Sequence, residues 1–347
     1  MAGTSLGPEE LLSVSLRRQF LTHRAPCERV VSKLCGLQAQ FANNPKYALR
    51  IRGSDFDGER WNRGLVKTWT LRKTLHLVLE KELGLFLSAQ GIPGDWQDGW
   101  GLAAGRMAYW AEFLLDRINR GIRGREELKK QCRERGISAE EEGNVFHGWG
   151  GLLYEMSRRG LIAYHSGTAK QFLPCPPIET LPRDEARAVI LRRYFESFGP
   201  AAVEDCRAFT GYRQRELDAL IRDFAIKLRP LSCGGKEYFY LGELPEPRPL
   251  PACVFLTGFD QLIMGYRDRS RVMDAGDRNL VITNSGIVHP TVLIRGRLRA
   301  SWKKDGTTLL IRPFRPLSPK DRSLAAETGR EVLAGEIDDC RFAPPEQ

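Results

Sequence analysis

Two glutamines stand one residue apart in the stretch KLCGLQAQFANNPKYALR, residues 33–50, with Gln38 and Gln40 on either side of Ala39. In a helix, positions two apart point to nearly opposite sides, whereas in an extended segment they share one side. The pair therefore faces one pocket only if the preceding helix ends near Leu37, with Ala39 packed behind. A primary amide offers two donors and an acceptor but takes no proton at neutral pH. It can orient a water molecule, as a glutamine does in GTP hydrolysis, without strongly activating it. That suffices only where the leaving group is already good. The same spacing also reads as two polar side chains closing a helix end.

Other chemistries find no support in the motifs. There is no G-x-x-x-x-G-K-[ST] loop for nucleotide phosphates and no G-x-G-x-x-G after a strand. G-x-S-x-G and H-E-x-x-H are absent as well. The five histidines (His23, His76, His147, His165 and His289) are far apart along the chain. The eight cysteines include no C-x-x-C pair, and a structural zinc needs clustered ligands to close its tetrahedron. They read as small apolar fillers, and neither a metal nor a cofactor is expected.

The charge points to a polyanion. Fifty-three Lys+Arg stand against 43 Asp+Glu, a net +10 over 347 residues, although the last stretch, AAETGREVLAGEIDDCRFAPPEQ, is acidic. A basic surface of this kind fits nucleic acid. No apolar run approaches the roughly 18 residues that span a bilayer. The N-terminal MAGTSLGPEELLSVSL lacks the basic start and apolar block of a signal peptide. A cytoplasmic protein with no membrane partner is the expectation.

The elements that must position the glutamines follow from periodicity. Pro8 and two acids precede Leu11, Leu12, Leu16 and Phe20 at helical spacing. A second helix begins near Pro26, with Val30, Val31, Leu34 and Leu37 on one face, and ends close to the glutamines. The ANNP that follows is turn chemistry, and the residue before Pro45 disfavours the helical region. Next, LVKTWTLRKTLHLVLE reads as two short strands joined by a tight basic turn, with a helix from about Glu80. Helix, helix, hairpin is the order of a winged helix-turn-helix unit.

That rhythm recurs. Helical MAYWAEFLLDRINRG and REELKKQCRERG, a helix in VFHGWGGLLYEMSRRG, and the strand-like LIAYHS and KQFLP make a second round. After the break PCPPIETLPRD, a third round runs from EARAVILRRYFESF to EYFYL. Beyond LGELPEPRPLP, the segments ACVFLTGFDQLIMGYRDRSRVM and TVLIRGRLRASWKKDGTTLLIRPF alternate apolar and polar residues, with KDG as a turn and a helix after Pro319. The expected fold class is α+β, mainly α: winged-helix units over 1–95, 96–178 and 179–248, then a small β-rich domain with a C-terminal helix over 249–347.

Several blocks in this order, RRQFL, GLQAQ, LVKTWTLRKTLHLV, YFESFGPAAVEDCRAFTG, FDQLIMGYRDRS and LIRGRLRASWKK, resemble the bacterial winged-helix DNA glycosylases of the AlkZ/YcaQ type, from about residue 15 to 320. The resemblance implies tandem winged helices in a C shape around DNA. It implies excision of N7-alkylguanines and the unhooking of interstrand crosslinks. The family's glutamine, small residue, glutamine motif falls on Gln38, Ala39 and Gln40, and the resemblance implies that those two glutamines are catalytic. Its W-x-x-R-x-T-L-H pattern falls on Trp69, Arg72, Thr74 and His76, with Lys73 where relatives often carry glycine.

DNA contacts are then expected from Lys67, Arg72, Lys73 and His76 at the first hairpin, and from Arg120, Arg123, Arg125, Lys129 and Lys130 in the second round. The expected partner is duplex DNA with alkylated or crosslinked guanine, bound by a monomer. A winged-helix transcriptional regulator without catalytic activity is the alternative; regulators usually carry one such unit and read bases from a recognition helix.

Overall fold

Pro8 opens the first helix, Pro8–Arg18, at the position where a missing N–H costs nothing, and Glu9 and Glu10 lie in its first turn. The computed structural model describes residues 5–167 and 171–345. The chain is a mixture of helices and strands that groups into two units. One gathers the chain up to Gln38, Asn44–Trp61 and everything from Ile190 onward; the other gathers Ala39–Asn43 and Asn62–Val189.

The second of these units is built on the first hairpin. Strands Leu65–Trp69 and Leu75–Leu79 pair antiparallel, Leu65 opposite Leu79 and Trp69 opposite Leu75, and a helix follows at Leu83–Gln90. Expectation and structure agree here. The second hairpin, Ile162–Tyr164 with Phe172–Pro174, does not stand apart: Tyr164 pairs with Lys67, so both hairpins form one sheet. The strand expected from Lys170 is seen from Phe172, and Lys170 lies outside the described residues. Helices Ala104–Asn119, Arg125–Glu134, Ala139–Val145 and Gly151–Arg158 enclose a core of Trp110, Leu114, Leu128, Val145, Leu152 and Phe172. Ser138 starts one of them, accepting from the Glu141 N–H at 3.1 Å.

In the first unit, helices Val203–Thr210 and Gln214–Asp223 precede the hairpin Arg229–Cys233 with Lys236–Tyr240. A five-stranded sheet follows, in spatial order Asp339–Phe342, Thr308–Pro313, Arg297–Asp305, Thr291–Ile294, Cys253–Leu256. Helix Pro319–Val332 lies on it, and Gly329 permits the approach: a Cβ there would meet Leu309 Cδ2 at 2.4 Å. Two details depart from the alternation read in the sequence. FDQLIM is a short helix, Gln261–Met264, because the Asp260 carboxylate accepts from the Leu262 N–H at 2.9 Å. The acidic C-terminal stretch supplies a strand, parallel to Thr308–Pro313.

Candidate catalytic segment and nucleic-acid interface

The helix before the glutamines ends earlier than its apolar pattern suggests, at Lys33. Cys35 and Gly36 both adopt left-handed backbone, with φ of 56° and 85°, and the Gly36 N–H returns to the Val31 carbonyl at 2.8 Å. Glycine makes that reversal cheap, and the chain emerges extended at Leu37–Gln38. A second helix, Asn43–Arg52, then begins within the segment read as a turn, and Pro45 sits in its first turn.

Extended backbone is what a shared face requires, but burial differs along it. Gln38 is 5 % exposed and Ala39 fully buried, whereas Gln40 is exposed and Phe41 is 48 % exposed. Within the first unit, Gln261 Nε2 donates to the Gly36 carbonyl at 2.8 Å. Asp260, beside it, is held by the buried Arg52 guanidinium at 2.7 Å, and Arg52 Nε donates to the Gln19 carbonyl at 3.0 Å. These hydrogen bonds hold the buried groups in place, with Arg52 Nη1 left without a partner among the described residues. Within the second unit, the Ala39 N–H donates to the Leu75 carbonyl at 2.8 Å, which ties Ala39 and Gln40 to the first hairpin.

Two of the expected DNA contacts need correction. Lys67 is 6 % exposed, and burial lowers its pKa. Its strand lies between Leu75–Leu79 on one side and Ile162–Tyr164 on the other, so it is interior rather than the rim of a free wing. His76 is 1 % exposed, and its pKa falls to about 3, through burial first and the Arg72 charge second. It is neutral at neutral pH. Nδ1–H donates to the Thr74 carbonyl at 3.1 Å, which leaves Nε2 as a buried acceptor without a partner among the described residues. Neither side chain offers a positive charge to a phosphate from the surface.

The remaining basic candidates reach solvent. Lys73 is exposed and Arg72 half-buried on the turn between the strands, both at φ 55°. Arg123 is exposed, as are Arg120, paired with Asp116 at 2.9 Å, and Lys130. Arg125 donates to the Phe146 carbonyl and lies over its ring at 5.8 Å; Lys129 Nζ is 6.0 Å from the same ring centroid and 3.2 Å from Glu126.

Three arrangements were not read from the sequence, although Trp69 falls in the W-x-x-R-x-T-L-H pattern and Asp260 and Gln261 in the FDQLIMGYRDRS block: the Arg52–Asp260 pair, the role of the Gln261 amide, and the aromatic group around Trp69, Trp100 and Tyr154. The Trp69 ring meets Tyr154 edge-on at 5.2 Å and its Nε1–H donates to the Tyr164 hydroxyl at 3.0 Å, while Trp100 lies 6.1 Å from Tyr154. Elsewhere, a cavity of about 510 Å³ in the first unit, lined in part by Arg17, His23, Arg24 and Arg248, contains neither glutamine.

Residues 31–334 match the family model described as DNA glycosylase AlkZ-like. The chain is 27 % identical over 329 residues, 86 % of this chain and 88 % of the relative, to the interstrand DNA cross-link repair glycosylase of Streptomyces sahachiroi. The solved structure of Streptomyces sahachiroi DNA glycosylase AlkZ resembles it with a TM-score of 0.78 over 98 % of this chain and 100 % of that one. At 24 % identity that second likeness speaks for the fold.

Proposed function

This chain belongs to the AlkZ-like DNA glycosylases, and from that premise we propose that it hydrolyses the N-glycosidic bond of N7-alkylguanine in duplex DNA and unhooks interstrand crosslinks in repair. It is an enzyme of the glycosylase class rather than a transcriptional regulator. The observation that carries the proposal is the family match over residues 31–334, which takes in both glutamines.

Gln38 and Gln40 are the catalytic pair in this reading. Alkylation at N7 makes the purine cationic. As the C1′–N9 bond breaks, the bonding electrons return to the ring, and the base leaves neutral. No strong general acid is needed. Water attacks C1′ of an oxocarbenium-like sugar and releases its proton to solvent, and the amides position that water through hydrogen bonds. The reaction calls for an open site. Openness matters because a crosslinked guanine, tied to the opposite strand, cannot be swung freely into an enclosed pocket.

Arg72, Lys73, Arg123, Arg125 and Lys129 supply phosphate contacts, giving salt-dependent and largely sequence-independent affinity. The tandem winged-helix organisation, with segments 1–95, 96–178, 179–248 and 249–347, belongs to the same proposal and draws support from the helix and hairpin order seen in each round. Action as a cytoplasmic monomer is part of the same proposal.

The test is base release from a duplex with one N7-methylguanine, and from a nitrogen-mustard crosslinked duplex, read as strand scission at the abasic product. Wild type should release the base. Gln38→Ala/Gln40→Ala should lose on the order of 10²-fold or more in rate, the scale of removing a preorganised hydrogen-bond donor at a reacting centre, with duplex affinity retained. No release by wild type from either substrate would overturn the proposal.

A further inference from the structure

Trp149 is 73 % exposed, the most open of the large exposed hydrophobic side chains among the described residues. The loop that carries it is firmly held. The Trp149 N–H donates to His147 Nδ1 at 3.2 Å and the Gly150 N–H to the His147 carbonyl at 3.0 Å. Gly150 and Gly151 have φ of 122° and 57°. A Cβ would meet Tyr154 Cβ at 2.6 Å from the first and the Asn144 carbonyl oxygen at 2.2 Å from the second. The imidazole of His147 lies 5.4 Å from Trp100. Two adjacent glycines in left-handed backbone thus seat the loop on an aromatic bed while its indole projects outward.

The charge around this loop is also specific. On one side, Phe146, three residues before Trp149, carries Arg125 and Lys129 on its ring. On the other, Gly150 reaches Trp69, whose Cζ2 would stand 3.7 Å from an added Cβ, and Trp69 leads directly into the turn of Arg72 and Lys73. Two basic groups separate in sequence, Arg125 and Lys129 on the Phe146 ring and Arg72 and Lys73 on the turn after Trp69, are therefore joined to this loop through its own neighbours, all within the second unit. An exposed aromatic between basic side chains is the arrangement that binds an unstacked nucleobase: cations hold the backbone and the ring covers a base face.

We propose that Trp149 stacks on a nucleobase left uncovered at the lesion in the bound duplex, an inference that rests on the glycosylase reading above. An intact duplex offers no free base face, so the contact belongs to sites where a base is displaced or lost.

The test uses the full chain and two duplexes, one intact and one with a tetrahydrofuran abasic site, binding measured at one salt concentration. Trp149→Ala should bind the abasic duplex about tenfold more weakly, within the range for losing one base–aromatic stack. Its affinity for intact duplex and its melting temperature should stay near wild type, and Trp149→Phe should restore most of the loss. Wild-type tryptophan emission should be quenched on adding abasic duplex, more than in Trp149→Phe. Equal affinity of wild type and Trp149→Ala for the abasic duplex, in a protein that still excises N7-methylguanine, would overturn this inference and leave the glycosylase reading standing. A wild type that releases no base would overturn both.

Discussion

Gln261 Nε2 donates to the Gly36 carbonyl at 2.8 Å, two residues before Gln38 and at the point where the chain leaves left-handed backbone for an extended strand. An amide far along the sequence thus fixes the peptide that aims a catalytic candidate. Gln261 is 4 % exposed, so the carbonyl has no water to turn to if the donor is removed.

Gln261→Leu should therefore cost about 1–3 kcal/mol of stability, the penalty of one buried unsatisfied acceptor. It should also slow base release more than it weakens duplex binding, since it loosens Gly36 and not a DNA contact. Denaturant unfolding beside single-turnover excision checks both. Unchanged excision with reduced stability would confine Gln261 to a structural role.

Arg52 and Asp260 are 0 % and 2 % exposed and form an ion pair at 2.7 Å. Arg52→Met strands a buried carboxylate that also caps the helix Gln261–Met264, so a loss of about 3–5 kcal/mol is expected. Adding Asp260→Asn, which removes the stranded charge and keeps a capping oxygen, should recover part of it. Urea midpoints of the two variants decide the point.

Lys73 holds φ 55° on the hairpin turn, a conformation that L side chains adopt at a cost of about 1–2 kcal/mol and glycine adopts freely. Lys73→Gly should raise the melting temperature slightly, offset by the greater entropy of an unfolded glycine. It should also lower the magnitude of the slope of log K against log salt by about one, the signature of a lost phosphate contact. A slope that does not change would remove Lys73 from the interface.

His76 titrates near 3 in the folded protein, below the ordinary histidine value of 6.5. Its folded pKa is lowered, so between about pH 6.5 and 3 the unfolded chain holds more protons, and stability falls as pH falls through that window. His76→Gln, which stays neutral, should flatten this part of the profile relative to wild type. Melting temperatures at pH 7, 6, 5 and 4 test it; His23, whose pKa is also lowered, is present in both proteins and cancels from the comparison.

Many elements and turns are governed by chemistry within a few residues and were legible, but the helix Asn43–Arg52, read as a turn, and the short helix Gln261–Met264 were not. Pro8 and its following acids, the apolar face of Val30 and Val31, the basic turn between Trp69 and Leu75, and the KDG reversal before Thr308 all declare themselves locally. The Gln38, Ala39, Gln40 triplet was legible for the same reason, as a short pattern of residue types. Burial was not. Lys67 reads as a wing cation because nothing near it announces that Tyr164 will pair alongside and make its strand interior. His76 loses its charge for the same kind of reason. Gln261 and Arg52 become supports of the candidate catalytic segment only when distant helices are brought against Gly36 and Asp260. Sequence determined most of the local shapes this chain takes. Only tertiary packing decided which polar groups stay in water and which stand in low dielectric, because desolvation depends on neighbours that come from elsewhere in the chain.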